Sequence, residues 1–186
     1  MKNLILSAFV IAATTVSCGT VQSIVQNTVP YTTNVLVSSG VPGNQEISVT
    51  SSATSFAQYV GAGTSMVQDI RISSAKATAT NLSTNGELGI FKSIKVYLSG
   101  NNTGEILVAQ RTDIGSNIGN TLNLDPDTSK ILDQIVKSGS VKARVAYVLK
   151  NTATNDTNLT ISMRFSSITA QNQYKNNLKI WIKRII

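Results

Sequence analysis

Apolar and polar residues alternate along much of this chain. From Val141 through Ala143, Val145 and Tyr147 to Leu149 every odd position is apolar, while Lys142 and Arg144 point the other way. Leu159, Ile161, Met163 and Phe165 interleave with Thr160, Ser162 and Arg164, and Ile94, Val96 and Leu98 oppose Lys95 and Tyr97. A period of two belongs to a strand with one buried face. Residues 34–37, 47–50, 67–73, 75–80, 105–110 and 121–124 are further strand candidates. Turn-forming residues separate them, at Asn85-Gly86, between Gly100 and Gly104, at Gly115-Ser116-Asn117 and through 151–158. Many short strands at such spacing predict an all-β fold, an antiparallel β-sandwich that is Ig-like or jelly-roll-like.

One segment departs from this period. Ile131/Leu132 and Ile135/Val136 are apolar pairs four residues apart, which is a helical stripe. Asp127 or Thr128 can cap its start and Gly139 its end. The expectation is a short crossover helix near 128–137, laid over one end of the sandwich and packed through those four residues.

Composition narrows the chemistry. The 186 residues include no histidine and one cysteine, and Ser, Thr and Asn together supply nearly a third of the chain. Lacking histidine, the chain cannot build a Ser-His-Asp triad, a Cys-His dyad or an imidazole metal site. One cysteine cannot form an intrachain disulfide. Ser and Thr suit half-exposed pleated surfaces and turns better than helix interiors.

The cysteine becomes informative through its position. Lys2 precedes an apolar run from Leu4 to Ala13, followed by Thr14, Thr15, Val16, Ser17 and Cys18. Such a run is too short to cross a bilayer, which takes about 20 apolar residues, and has the layout of an export signal. Thr15-Val16-Ser17-Cys18 resembles the lipobox of bacterial lipoproteins, in a relaxed form because Leu is usual where Thr15 stands. The resemblance implies a diacylglycerol on the Cys18 thiol, cleavage by signal peptidase II just before it, and acylation of the new amine, with palmitate among the chains. Gly19 stands where some groups carry an inner-membrane retention Asp, so the resemblance implies the outer membrane. The organisation expected is a signal peptide over 1–17, a lipidated tether with first-strand candidates over 18–45, a β-sandwich domain over 46–173 and a basic C-terminal segment over 174–186. The part from about 67 to 170 also resembles the β-sandwich portions of small envelope lipoproteins, without a diagnostic motif.

Motifs with chemical potential are few. Asp125, Asp127 and Ser129 have a spacing that can present oxygens to Ca²⁺, but Lys130 and Val136 stand where an EF-hand loop needs glycine and glutamate. A helix cap after a proline turn explains them more simply. Asn155-Asp156-Thr157-Asn158 reads as a hairpin tip. Gly61-Ala62-Gly63-Thr64-Ser65 lacks the third glycine and the lysine of a nucleotide loop and reads as a turn. No catalytic residue, metal site or cofactor is assigned.

Charge concentrates at the far end. Four of the sixteen basic side chains, and none of the nine acidic ones, lie in residues 174–186. As a helix, Tyr174, Leu178, Trp181, Ile182 and Ile185 form one stripe and Lys175, Lys179 and Lys183 another. As a strand, Leu178, Ile180 and Ile182 point inward while Lys179, Trp181 and Lys183 point out. Lys175, Lys179, Trp181, Lys183 and Arg184 are the candidate contacts for an anionic membrane or for a partner, a second copy included. Nucleic acid is not an expected partner, because so few basic residues are available.

These features together point to a non-catalytic, membrane-anchored cell-envelope lipoprotein that serves as a binding or structural module. The alternative is a strand-mediated, self-assembling adhesin or fimbria-like subunit. A glycan-acting enzyme using two carboxylates is the third reading.

Overall fold

The computed structural model describes residues 28–56, 67–80 and 88–169. Among the described residues there are eight strands: β1 (Val29–Val37), β2 (Glu46–Thr50), β3 (Val67–Thr80), β4 (Phe91–Gly100), β5 (Ile106–Arg111), β6 (Thr121–Pro126), β7 (Val141–Leu149) and β8 (Thr157–Thr169). Every pairing is antiparallel. The chain behaves as one long hairpin, with β1 on β8, β2 on β7, β3 on β6 and β4 on β5. That hairpin is then rolled so that β3 also pairs β8 and β4 also pairs β7. The result is β1-β8-β3-β6 in one layer and β5-β4-β7-β2 in the other, the strand order of a jelly roll. Of the two sandwich types expected from the sequence, the chain adopts the jelly-roll-like one. A two-rung ladder, Ala109 opposite Pro126 and Gln110 opposite Asp125, joins the layers along one side. On the other side β1 and β2 are the two ends of the strand order. Pro30 sits in β1, where an edge strand tolerates its missing N–H.

The buried positions follow the alternation. In β1 Val29, Tyr31, Thr33, Val35 and Val37 are buried while the residues between them are exposed. Leu159, Ile161, Met163 and Phe165 of β8 meet Ile94, Val96, Leu98 and the odd residues of β7 in one core. Candidates 67–73 and 75–80 are a single strand, β3, interrupted by bulges between Gln68 and Arg71 and between Ile72 and Ser74. Each bulge adds a residue and flips the phase of alternation, so one strand reads as two pieces.

The helix is shorter than its sequence pattern. It forms as α1 (Asp133–Lys137). Leu132, Ile135 and Val136 are buried as expected, but Ile131 is 55% exposed. Asp127 does not cap the helix: its carboxylate accepts hydrogen bonds from the backbone and hydroxyl of Ser129, closing a separate turn. Leu132 occupies the N-cap with no side-chain cap bond. Gly139, just past the C-cap Ser138, takes the left-handed conformation (φ +91°) that commonly terminates helices.

The rolled topology gives the molecule two distinct ends. At the helix end lie α1, the β4–β5 loop (101–105), the β6–β7 connection, the start of β1 and the finish of β8. At the turn end, loops 38–45, 112–120 and 150–156 meet. There Gly40 N–H donates to the Ala153 carbonyl at 2.8 Å, Asn44 N–H to Leu149 at 2.7 Å and Leu88 N–H to Gly119 at 2.7 Å. Register fixes these positions: Val29 faces Phe165 and Val67 faces Thr169 at the helix end, whereas Val37 faces Thr157 at the turn end.

Candidate functional site

Polar chemistry among the described residues concentrates at the helix end. Asp133, the first residue of α1, accepts hydrogen bonds from the backbone N–H of Ile70 at 2.7 Å and of Asp69 at 3.3 Å. Those two amides are exposed by the first bulge of β3, where Asp69 adopts a positive φ of 53°. The carboxylate thus satisfies amides that the irregular ladder leaves over. Lys137, four residues on, pairs with Asp133 at 3.3 Å. Arg71 pairs with Asp69 at 2.7 Å and donates to the carbonyls of Thr128 and Ser129, pinning the 127–130 turn to β3.

A shallow cavity of about 550 Å³ opens beside α1, with Ile106, Ile131 and Ile135 supplying apolar surface and Glu105, Asp133 and Gln134 polar surface. Glu105 is held by Arg144 in a two-pronged pair of 2.8 and 2.6 Å. The Arg144 guanidinium also stacks on the Tyr97 ring, 4.1 Å from its centroid. The Arg144 hydrogen bonds keep the Glu105 carboxyl below the usual glutamate range. Both carboxylates of the cavity are therefore engaged by neighbours.

The motifs singled out from sequence are dispersed. Asp125 turns to Arg111 at 3.1 Å, while Asp127 serves its own turn. Among the described residues no three of His, Cys, Asp and Glu gather closely enough to hold a metal ion. Asp156 accepts the Ser39 N–H at 2.7 Å and so ties loop 150–156 to loop 38–45; that bond lowers its carboxyl below the ordinary aspartate value. Residues 61–65 lie outside the described residues, as do Cys18, Lys175, Lys179, Trp181, Lys183 and Arg184. No helix among the described residues is long and apolar enough to cross a membrane. Sequence reasoning missed the Asp133 and Arg144 clusters. Their partners stand 63 and 39 residues away, so only the rolled pairing unites them.

No protein-family model matches the chain, and no curated protein matches it. Among solved structures it is similar to the coat protein of Tobacco streak virus, with a TM-score of 0.28 and 12% identity over 79% of this chain and 90% of that one. It is also similar to the structure of infectious bursal disease virus Gx strain, with a TM-score of 0.24 and 12% identity over 79% of this chain and 43% of that one. Overlap this low carries no argument, and the jelly-roll assignment rests on the strand order itself.

Proposed function

We propose that the protein is a membrane-anchored lipoprotein of the cell envelope, acylated at Cys18, whose β-sandwich acts as a non-catalytic binding or structural module at the outer membrane. The observation that carries this reading is the sequence Thr15-Val16-Ser17-Cys18, placed directly after an apolar run too short to span and containing the chain's single cysteine. Two or three acyl chains hold a protein where one gives only reversible attachment, because each buried CH₂ contributes about 0.8 kcal/mol. Residues 174–186 supply a basic second contact. Expression with labelled palmitate tests the anchor: label in the wild-type chain and none in Cys18→Ser supports it, and an unlabelled wild-type chain overturns it.

A second reading, strand-mediated self-assembly, is favoured by one observation. Among the described residues β1 is a nine-residue edge strand, and it carries no charged residue; uncharged edges invite pairing with another chain. Sedimentation of the unacylated Cys18→Ser chain over a hundredfold concentration range discriminates: a monomer throughout removes this reading. For a glycan-acting enzyme with two carboxylates the cavity offers Glu105 and Asp133, and both are already engaged, Glu105 by Arg144 and Asp133 by the Ile70 amide and Lys137.

A further inference from the structure

We infer that the helix end of the sandwich is the face that rests on an anionic bilayer, leaving the turn-end loops 38–45, 112–120 and 150–156 presented outward. The inference rests on the lipoprotein reading above and adds a direction to it. Its basis is where the chain enters and leaves the fold. β1 starts at Val29 and β8 finishes at Thr169, and the register places both at the helix end.

Ten residues separate Cys18 from Val29. Fully stretched they reach roughly 40 Å, at up to ~3.6 Å per residue, and as a relaxed coil about 18 Å. The nine residues of β1 span roughly 30 Å at ~3.3 Å each, so the turn end lies about that much farther along the chain from Cys18 than the point where the tether joins the fold. Four residues separate Thr169 from the segment 174–186, which carries Lys175, Lys179, Lys183 and Arg184. The described fold is thus entered and left at the same end, with Cys18 on the entering side in sequence and the four cations on the leaving side.

The surface at that end suits a bilayer. Ile131 and Ile168 are 55% and 40% exposed, and both flank the start of β3: Ile168 faces Gln68, and Leu132, next to Ile131, donates its N–H to the Ile70 carbonyl. Lys130, which pairs with Asp127 at 3.8 Å, precedes Ile131, and Lys142 is exposed at the start of β7. Exposed apolar tips suit the boundary between acyl chains and headgroups, and the carboxylates of the same end, Asp69, Glu105, Asp127 and Asp133, are each paired with a cation, Arg71, Arg144, Lys130 and Lys137.

The test reconstitutes the acylated full-length chain in vesicles of zwitterionic and anionic phospholipid, some lipids carrying a nitroxide quencher. A fluorophore is attached to Gln134→Cys at the helix end or to Thr154→Cys at the turn end; both positions are exposed, and acylated Cys18 offers no thiol. Strong quenching at position 134 with little at 154 is the expected result. Equal or reversed quenching on a chain shown by mass spectrometry to be acylated overturns the orientation alone, whereas a chain shown to be unacylated overturns the anchoring reading and the orientation with it. A second measurement uses the unacylated Cys18→Ser chain. Replacing Lys175, Lys179, Lys183 and Arg184 by Gln should weaken binding to anionic vesicles at least tenfold, since each basic residue near the surface strengthens binding about fivefold, and should leave binding to zwitterionic vesicles unchanged. Unaltered anionic binding overturns the shared charge contact.

Discussion

Arg144 shows how one side chain at the helix end joins three strands. It leaves β7, stacks on Tyr97 of β4 and pairs with Glu105 just before β5. Its side chain is 28% exposed and that of Glu105 36%, so solvent screens the pair and Arg144→Ala should cost about 1 kcal/mol, much of it from the lost ring contact. A lower urea midpoint at neutral pH is the check. Because the Glu105 carboxyl is lowered in the fold, its contribution is complete above the unfolded glutamate pKa of about 4.3 and disappears as pH falls through the folded value. The difference between wild type and Arg144→Ala should therefore narrow in acid. Asp127 and Asp156 are lowered too, each by accepting hydrogen bonds from a serine, so urea midpoints of the wild-type chain should fall as pH drops below the ordinary carboxylate range.

At the scale of elements, α1 is five residues long and far too short to be stable by itself. Its place is set by Leu132, Ile135 and Val136 in the core and by Asp133 on the β3 bulge. Leu132→Ala should cost about 2–5 kcal/mol, since the side chain is completely buried. Asp133→Ala leaves two amides without their acceptor and should cost about 1–3 kcal/mol; hydrogen exchange at Ile70 should accelerate while the amides of β4 and β7 stay protected. Gly100, the last residue of β4, passes so close to α1 that an added Cβ would lie 2.8 Å from the Ile135 carbonyl oxygen. Gly100→Ala should therefore loosen the same contact without altering any charge.

For the whole molecule, the rolled hairpin makes the first described strand depend on the last. Both layers share one hydrophobic core, which predicts a single cooperative unfolding transition with coincident fluorescence and circular-dichroism midpoints. Because β1 can pair only once β8 exists, most native contacts close long loops. Refolding in the millisecond-to-second range follows, measurable by stopped flow. Removing residues 29–37 would take Tyr31 from its contacts with Phe56 and Phe165 and expose the inner edge of β8, so the truncated chain should fail to fold cooperatively.

Side-chain periodicity determined the all-β class, the buried faces of β7, β8 and the centre of β4 and, through a four-residue spacing, a helix ending at Gly139 with Leu132, Ile135 and Val136 buried, because the side-chain period is a local property of the backbone. The absence of histidine likewise removed whole classes of chemistry before any fold was known. Three things were decided only in tertiary structure. The bulges of β3 shifted its phase and hid its length; the turn made by Asp127 and Ser129 drew the helix start away from its apparent cap; and the rolled pairing selected the jelly-roll order. That same pairing set Arg144 against Glu105, Asp133 against Ile70, and the start of β1 beside the finish of β8. Each of these juxtapositions joins residues far apart along the chain, and periodicity, which reports only on neighbours a few residues away, holds no record of which distant strand a given strand will meet.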